Sequence, residues 1–225
     1  MSESYVTRLC AWAPGVENPG EWDEWAQGRR SISSDAKGPG IAFTDSLFRR
    51  RLSQISRMTI QVIHDLLPPE DAAKIFFLSL RGELARQYQI NKMLIEEKAL
   101  MPAAFSLSVF NAPAALASIA LGLRGGYSAI YPAGRDPFAA GLAAAEAALL
   151  CGAEREIAFV YADEQPPPEY GCFSGECLSP AAYALVLSRE AAQPSVPLSA
   201  LKAAGDDPLA FLRRLLLCGK IHVAS

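Results

Sequence analysis

Five cysteines, two histidines and one strand–turn–helix around Gly134 are what this sequence offers for chemistry. The stretch from Gly126 to Gly152 reads GYSAIYPAGRDPFAAGLAAAEAALLCG. A thin apolar helix entered by a sharp turn from a strand commonly presents a nucleophile or a phosphate site at its N-terminus. The turn here holds Ala133, Gly134, Arg135 and Asp136, with no Cys, Ser or Thr among them. No GxGxxG or GxxxxGK[ST] occurs nearby, and Asp136 at the helix start would repel an anion, which argues against a nucleotide site. The architecture of a nucleophile turn is written in the sequence and the nucleophile is not.

A second place for chemistry is the GCFSGEC loop, where Cys172 or Ser174 could serve a small hydrolase or acyltransferase, with His64 as its base. The G-x-S-x-G pattern is not met there, because the serine stands one place late. A surface loop joining two strands is the plainer reading. Cys172 and Cys177 are five apart, which matches neither zinc nor CxxC redox spacing. His64 on a helix and His222 in the tail leave little for metal binding or proton transfer, so no metal and no cofactor are expected.

The elements that must position these residues follow from periodicity. Residues 6–13 read as an opening strand, and Asn18-Pro19-Gly20 begins a short helix with Trp22 and Trp25 as packing anchors. Residues 46–67 carry apolar side chains at helical spacing and predict one long helix, stopped by Pro68 and Pro69. KIFFLSL at 74–80 and EIAFVYA at 156–162 are continuous apolar runs of the buried-strand type. A helix follows the first run to about Lys98, with Leu84, Tyr88, Met93 and Leu94 inward. Residues 105–110 form a short apolar segment, 114–121 an alanine-rich helix and 127–131 a strand. For the central helix, Asp136 is the predicted N-cap, Pro137 its first residue and Gly152 its stop. With Glu146 its one charge and alanine on every side, it is expected to be buried. AAYALVLS at 181–188 is a last strand, and Asp207-Pro208 starts a last helix. Strands alternating with helices predict an α/β layered protein.

Net charge is −3 and the pI about 5.5, which gives no electrostatic support for nucleic acid or an anionic membrane. The apolar fraction of 51% is enough to suggest a surface that another subunit covers. No stretch of about 20 uncharged apolar residues exists, so no span is expected. The N-terminal MSESYVTRLC lacks a secretory pattern, and a cytoplasmic protein with free thiols is expected.

The segment FSLSVFNAPAALASIALGLRGGYSAI, followed by YPAGRDPFAAGLAAAEAALLCGA, resembles the N-terminal half of β-ketoacyl synthases. These carry a similar FS…N…lGl.G segment, a strand, a nucleophile turn of the T-A-C-x-[ST]-G kind and a small-residue helix ending in glycine. Aligned on that pattern, Gly134 occupies the position of the nucleophilic cysteine, behind Pro132 and Ala133 and ahead of Arg135, Asp136 and Pro137. The resemblance implies a thiolase-like half-fold, layered, with a mixed, mainly parallel sheet and a buried alanine-rich helix. It divides the chain into a synthase-like domain over 1–189 and a C-terminal tail with one helix over 190–225. A glycine can neither form a thioester nor attack one. The paired histidines of a second half-fold are not within these 225 residues, so condensation by this chain alone is not expected.

The sequence is similar to the cysteine-less, chain-length-factor-like subunits found beside full-length synthases in bacterial aryl polyene clusters. That implies a non-catalytic subunit, forming a heterodimer with a catalytic β-ketoacyl synthase and stabilising it in aryl polyene, polyketide or fatty-acid-type chain elongation. Acyl carrier protein would be involved only indirectly. The resemblance places the subunit contact on the strand before the turn and implies interface roles for Phe110, Ser128, Ile130, Tyr131 and Phe138. Ordinary core packing is the alternative for Phe110, Tyr131 and Phe138.

Overall fold

The computed structural model describes residues 3–35, 37–68, 73–99, 102–131, 134–170, 179–203 and 207–224. β1 (Tyr5–Trp12) leads into α1 (Pro19–Ala26). A capping box starts α1: Asn18 accepts from the Glu21 N–H at 3.1 Å, and the Glu21 carboxylate accepts from the Asn18 N–H at 3.2 Å. The predicted long helix is two, α2 (Ser46–Arg49) and α3 (Gln54–Leu66). Ser53 makes the break, with extended backbone and a hydroxyl that accepts from the Ser56 N–H at 3.2 Å, as an N-cap does. There follow β2 (Lys74–Leu78), α4 (Leu84–Glu96), α5 (Pro102–Ser106), α6 (Ala112–Leu121), β3 (Tyr127–Ile130) and α7 (Pro137–Cys151). The chain continues with β4 (Glu156–Asp163), β5 (Ala181–Ser188), β6 (Val196–Pro197) and α8 (Pro208–Leu217).

The strands form one mixed sheet in the order β3-β2-β4-β5-β1-β6. β2 pairs in parallel with both β3 and β4, whereas β5 is antiparallel to β4 and β1, and β6 is antiparallel to β1. β1 to β4 therefore all point the same way. Alternate residues of each strand go to opposite faces. Phe76, Leu78, Phe159, Tyr161, Tyr183 and Leu185 pack beneath α7, α8 and α1. Ile75, Phe77, Ala158, Val160, Ala184 and Val186 pack against α3 and α6. Both faces of the central strands are thus covered, which is why β4 and β5 read as unbroken apolar runs.

Trp22 and Trp25 are packing anchors, edge to face at 5.2 Å, with the Trp22 indole N–H donating to the Ala11 carbonyl at 3.1 Å. At the start of α7, Asp136 accepts from the Ala139 N–H at 3.1 Å, and Pro137 is the first helical residue. Gly141 brings α7 against the sheet: a Cβ there would stand 2.5 Å from Cδ1 of Leu78. Burial of α7 is one-sided in the single chain. Phe138, Gly141, Leu142, Ala145 and Leu149 face the sheet, while Ala140, Ala143, Ala144 and Ala147 are exposed. The residues after 190 belong to the same core, through Val196, Leu198, Phe211, Leu215, Ile221 and Val223. Among the described residues no helix is long and apolar enough to cross a membrane.

Candidate partner interface

β3 lies at one edge of the sheet, in register with β2 from Ile75–Tyr127 to Leu78–Ile130. Its four residues are all partly exposed, and among the described residues nothing pairs with its outer side. An open edge of this kind invites another chain. Ser128 and Ile130 sit within it. Tyr131, next in sequence, is 70% exposed. Phe110 stands behind Tyr131, ring to ring at 5.4 Å and 90°, and touches Phe77 of the core at 6.2 Å. Asn111 donates to the Tyr127 hydroxyl at 3.1 Å, fixing the segment before α6 to β3. The structure therefore gathers Phe110, Ser128, Ile130 and Tyr131 at one edge.

Phe138 is placed elsewhere. It is 2% exposed and lies among Phe159, Tyr161 and Phe211 at 5.4–6.3 Å. It is a core residue that holds the first turn of α7 to the sheet, and it offers no surface of its own to a partner.

Sequence reasoning missed the neighbouring surface. Of the thirteen residues of α4 only Ile90 is buried, and Leu94, expected inward, is 50% exposed. Ile95, Phe105 and Val109 are also open to solvent. The surface adjoins the β3 edge: Gln87 of α4 donates to the Ser108 carbonyl at 2.9 Å, two residues before Phe110. The signal was available in the adjacent pair Leu94-Ile95, since neighbours in a helix point about 100° apart and one packing face cannot take both.

Gly134 has φ +113°, is exposed and has open space where a Cβ would be. Pro132 and Ala133 lie outside the described residues, as do Cys172 and Ser174 of the alternative loop. His64 is on α3, across the sheet from α7, stacked on Phe43 at 3.7 Å with Nδ1 2.8 Å from the Asp65 carboxylate. His222 is exposed in the tail. Burial, and then the charge of Asp65, pushes the Cys10 thiol up to about 12, so it is a poor nucleophile. Cys151 and Cys218 are free and exposed. Among the described residues no three His, Cys, Asp or Glu side chains form a metal-binding group.

Three buried acids, also missed, collect near the carboxyl ends of β2 and β4. Asp163 closes the turn after β2, accepting from the Ser79 hydroxyl at 2.7 Å and the N–H groups of Leu80 at 2.9 Å and Arg81 at 3.1 Å. Burial raises its pKa against these hydrogen bonds. Glu83 accepts from the Ser53 and Ser56 hydroxyls at 2.7 Å each and from Arg86 at 3.1 Å. Glu164 is 6% exposed, and burial followed by the like charge of Glu83 carries its pKa up to about 8. One of its oxygens accepts from the Ile55 N–H at 3.2 Å.

The family model for the beta-ketoacyl synthase N-terminal domain matches residues 22–210. The chain belongs to that family. Among solved structures, this synthase-family chain is similar to "Ketosynthase (ApeO) in Complex with its Chain Length Factor (ApeC) from Xenorhabdus doucetiae". The TM-score is 0.70 and the identity 25%, over 84% of this chain and 79% of that one. It is also similar in fold to the ishigamide ketosynthase/chain length factor, at TM-score 0.66 and 13% identity over 87% of this chain and 64% of that one. A third fold match is a type II polyketide acyl-carrier protein in complex with its ketosynthase (AntDE:AntF), at TM-score 0.60 and 15% identity over 84% and 63%. The chain thus spans less than two thirds of the second and third of these. None of the curated proteins compared matches it. The fold is the thiolase-like, ketosynthase-type α/β arrangement.

Proposed function

We propose that this synthase-family chain is a non-catalytic, chain-length-factor-like subunit that pairs with a catalytic ketosynthase and stabilises it during acyl-chain elongation. The observation that carries the reading is Gly134, a residue without a side chain between β3 and α7, which the resemblance aligns with the nucleophilic cysteine of the synthases. His64, on α3, lies across the sheet from α7 and cannot serve that turn. The open β3 edge, with the exposed Tyr131 and the uncovered α4–α5 surface, supports a protein partner over a small-molecule reaction. The likeness to a ketosynthase–chain length factor complex supports the kind of partner, and an aryl polyene or polyketide-type product is the finer reading. Acyl carrier protein would meet the catalytic subunit and reach this chain only indirectly.

The test is co-expression with a candidate ketosynthase from neighbouring genes of the same organism, tagged on one partner only, followed by sedimentation analysis. A one-to-one complex whose ketosynthase is inactive or insoluble alone is the expected result. A stable monomer that leaves the ketosynthase unaffected would sink the proposal.

A further inference from the structure

The buried acids above differ in how they are satisfied. Among the described residues, Arg86 is the one cation lining the groove between the start of α3, α4 and α5, and it is committed: its Nε donates to Glu83 at 3.1 Å and its Nη2 to the Arg51 carbonyl at 2.8 Å. Asp163 has donors from Ser79, Leu80 and Arg81. Glu164 is left over. It is 6% exposed, and its Oε1 is buried without a hydrogen-bond partner among the described residues. A buried carboxyl oxygen left so costs of the order of a lost hydrogen bond or more, and persists where something else completes it. Glu164 also lines the groove, about 410 Å³ in volume, with Gln54, Arg86, Met93, Ala104 and Gln165 around it. The groove lies beside the exposed Leu94, Ile95 and Phe105, so it belongs to the surface argued above to meet a partner.

We propose that this groove receives a guanidinium or ammonium side chain of the partner ketosynthase, which pairs with Glu164 and gives the apolar contact a buried ionic anchor. The inference rests on the heterodimer reading. Charge complementarity selects a cation over a neutral donor. Once Glu164 ionises, it and Glu83 face the single guanidinium of Arg86, which is already hydrogen-bonded to Glu83, and among the described residues the groove lining holds no second cation. The groups that act on Glu164 are Glu83 at the N-cap of α4, Arg86 from α4, Asp163 from β4 and the Ile55 N–H from α3. In the free chain Glu164 keeps its proton near neutral pH, because burial holds its pKa at about 8. When the cation arrives, the carboxyl O–H bond breaks, the proton goes to the buffer and a carboxylate–cation pair remains.

The experiment is calorimetric titration of the whole chain with a separately purified candidate ketosynthase from neighbouring genes, at pH 7, in phosphate and in Tris. These buffers differ in ionisation enthalpy, so the pair of titrations counts protons. Wild type should release close to one proton per complex. Glu164→Gln should release none, bind at least tenfold more weakly, and unfold at no lower temperature than wild type. A complex formed with no proton release, or equal affinity and proton count in the two proteins, overturns the anchor and leaves the heterodimer standing. No complex at all removes both. The wild-type proton count is decisive even where the variant does not fold.

Discussion

Gly82 and Phe110 stand so close that a Cβ on the glycine would lie 2.7 Å from Cδ2 of the ring. Gly82 also has φ +58°, where an L side chain is strained. Its missing side chain is what lets Phe110 lie between Phe77 of the core and Tyr131 at the edge. Gly82→Ala should therefore do two things at once. Strain and overpacking should destabilise the chain by about 2–3 kcal/mol, read in a thermal melt. The displaced Phe110 should tilt Tyr131 and weaken ketosynthase binding, read at a temperature where the variant is fully folded. Gly122→Ala has φ +63° but open space around it, and should show the strain without the loss of binding.

The β3 edge allows stability and pairing to be separated. Tyr131 is 70% exposed, so Tyr131→Asp should leave the melting temperature of the free chain nearly unchanged. In the complex the same aspartate would be buried without a counter-charge, and affinity should fall by about a hundredfold or more. Ile130→Asp touches the core and should cost both stability and pairing. Unaltered binding by Tyr131→Asp would take the edge out of the interface.

Restoring a thiol at the turn should not restore condensation. Gly134 has space for a cysteine side chain, yet its φ of +113° strains any L residue. The helix N-terminus behind it is capped by the Asp136 carboxylate, which disfavours a thiolate there. His64 lies across the sheet, bonded to Asp65. Gly134→Cys, assayed alone with acyl and malonyl carrier-protein substrates, should give no ketoacyl product. Product above the wild-type blank would show that a proton-transfer partner is present after all.

What the sequence revealed was local. Asn18-Pro19, Asp136-Pro137 and Asp207-Pro208 all start helices where their cap chemistry says they should, and the apolar runs at 156–162 and 181–188 are the buried central strands. The break at Ser53 was hidden because Leu52 and Ile55 continue the apolar pattern across it. The exposure of Leu94 was hidden because helical periodicity presumes that a core covers the apolar face. Edge position cannot be read for β3, since it depends on which strand β2 takes on its other side. The acidic cluster was out of reach for a different reason: Asp163 meets Ser79, and Glu164 meets Ile55, 84 and 109 positions away. Only the fold brings a serine, a backbone N–H and two acids together.

Glu164 gives a prediction for the free chain that needs no partner. Its folded pKa of about 8 lies above the ordinary 4.5 of an unfolded glutamate. Between these values the folded state holds a proton that the unfolded state has lost, so stability must fall as pH rises from about 4.5 to about 8. Below 4.5 both states are protonated and the penalty vanishes. Above 8 it is present in full, at most about 5 kcal/mol for a shift of this size, and less where water or side chains relax around the group. Asp163, raised by the same burial, adds to the slope at the acid end. Glu164→Gln removes the ionisation and keeps an oxygen for the Ile55 N–H, so it should be more stable than wild type at pH 8. The two proteins should converge as pH approaches 5. Urea unfolding at pH 5, 6, 7 and 8 measures this directly. A variant less stable than wild type at pH 8 would mean that the folded chain holds Glu164 ionised, with a cationic partner from within the chain itself.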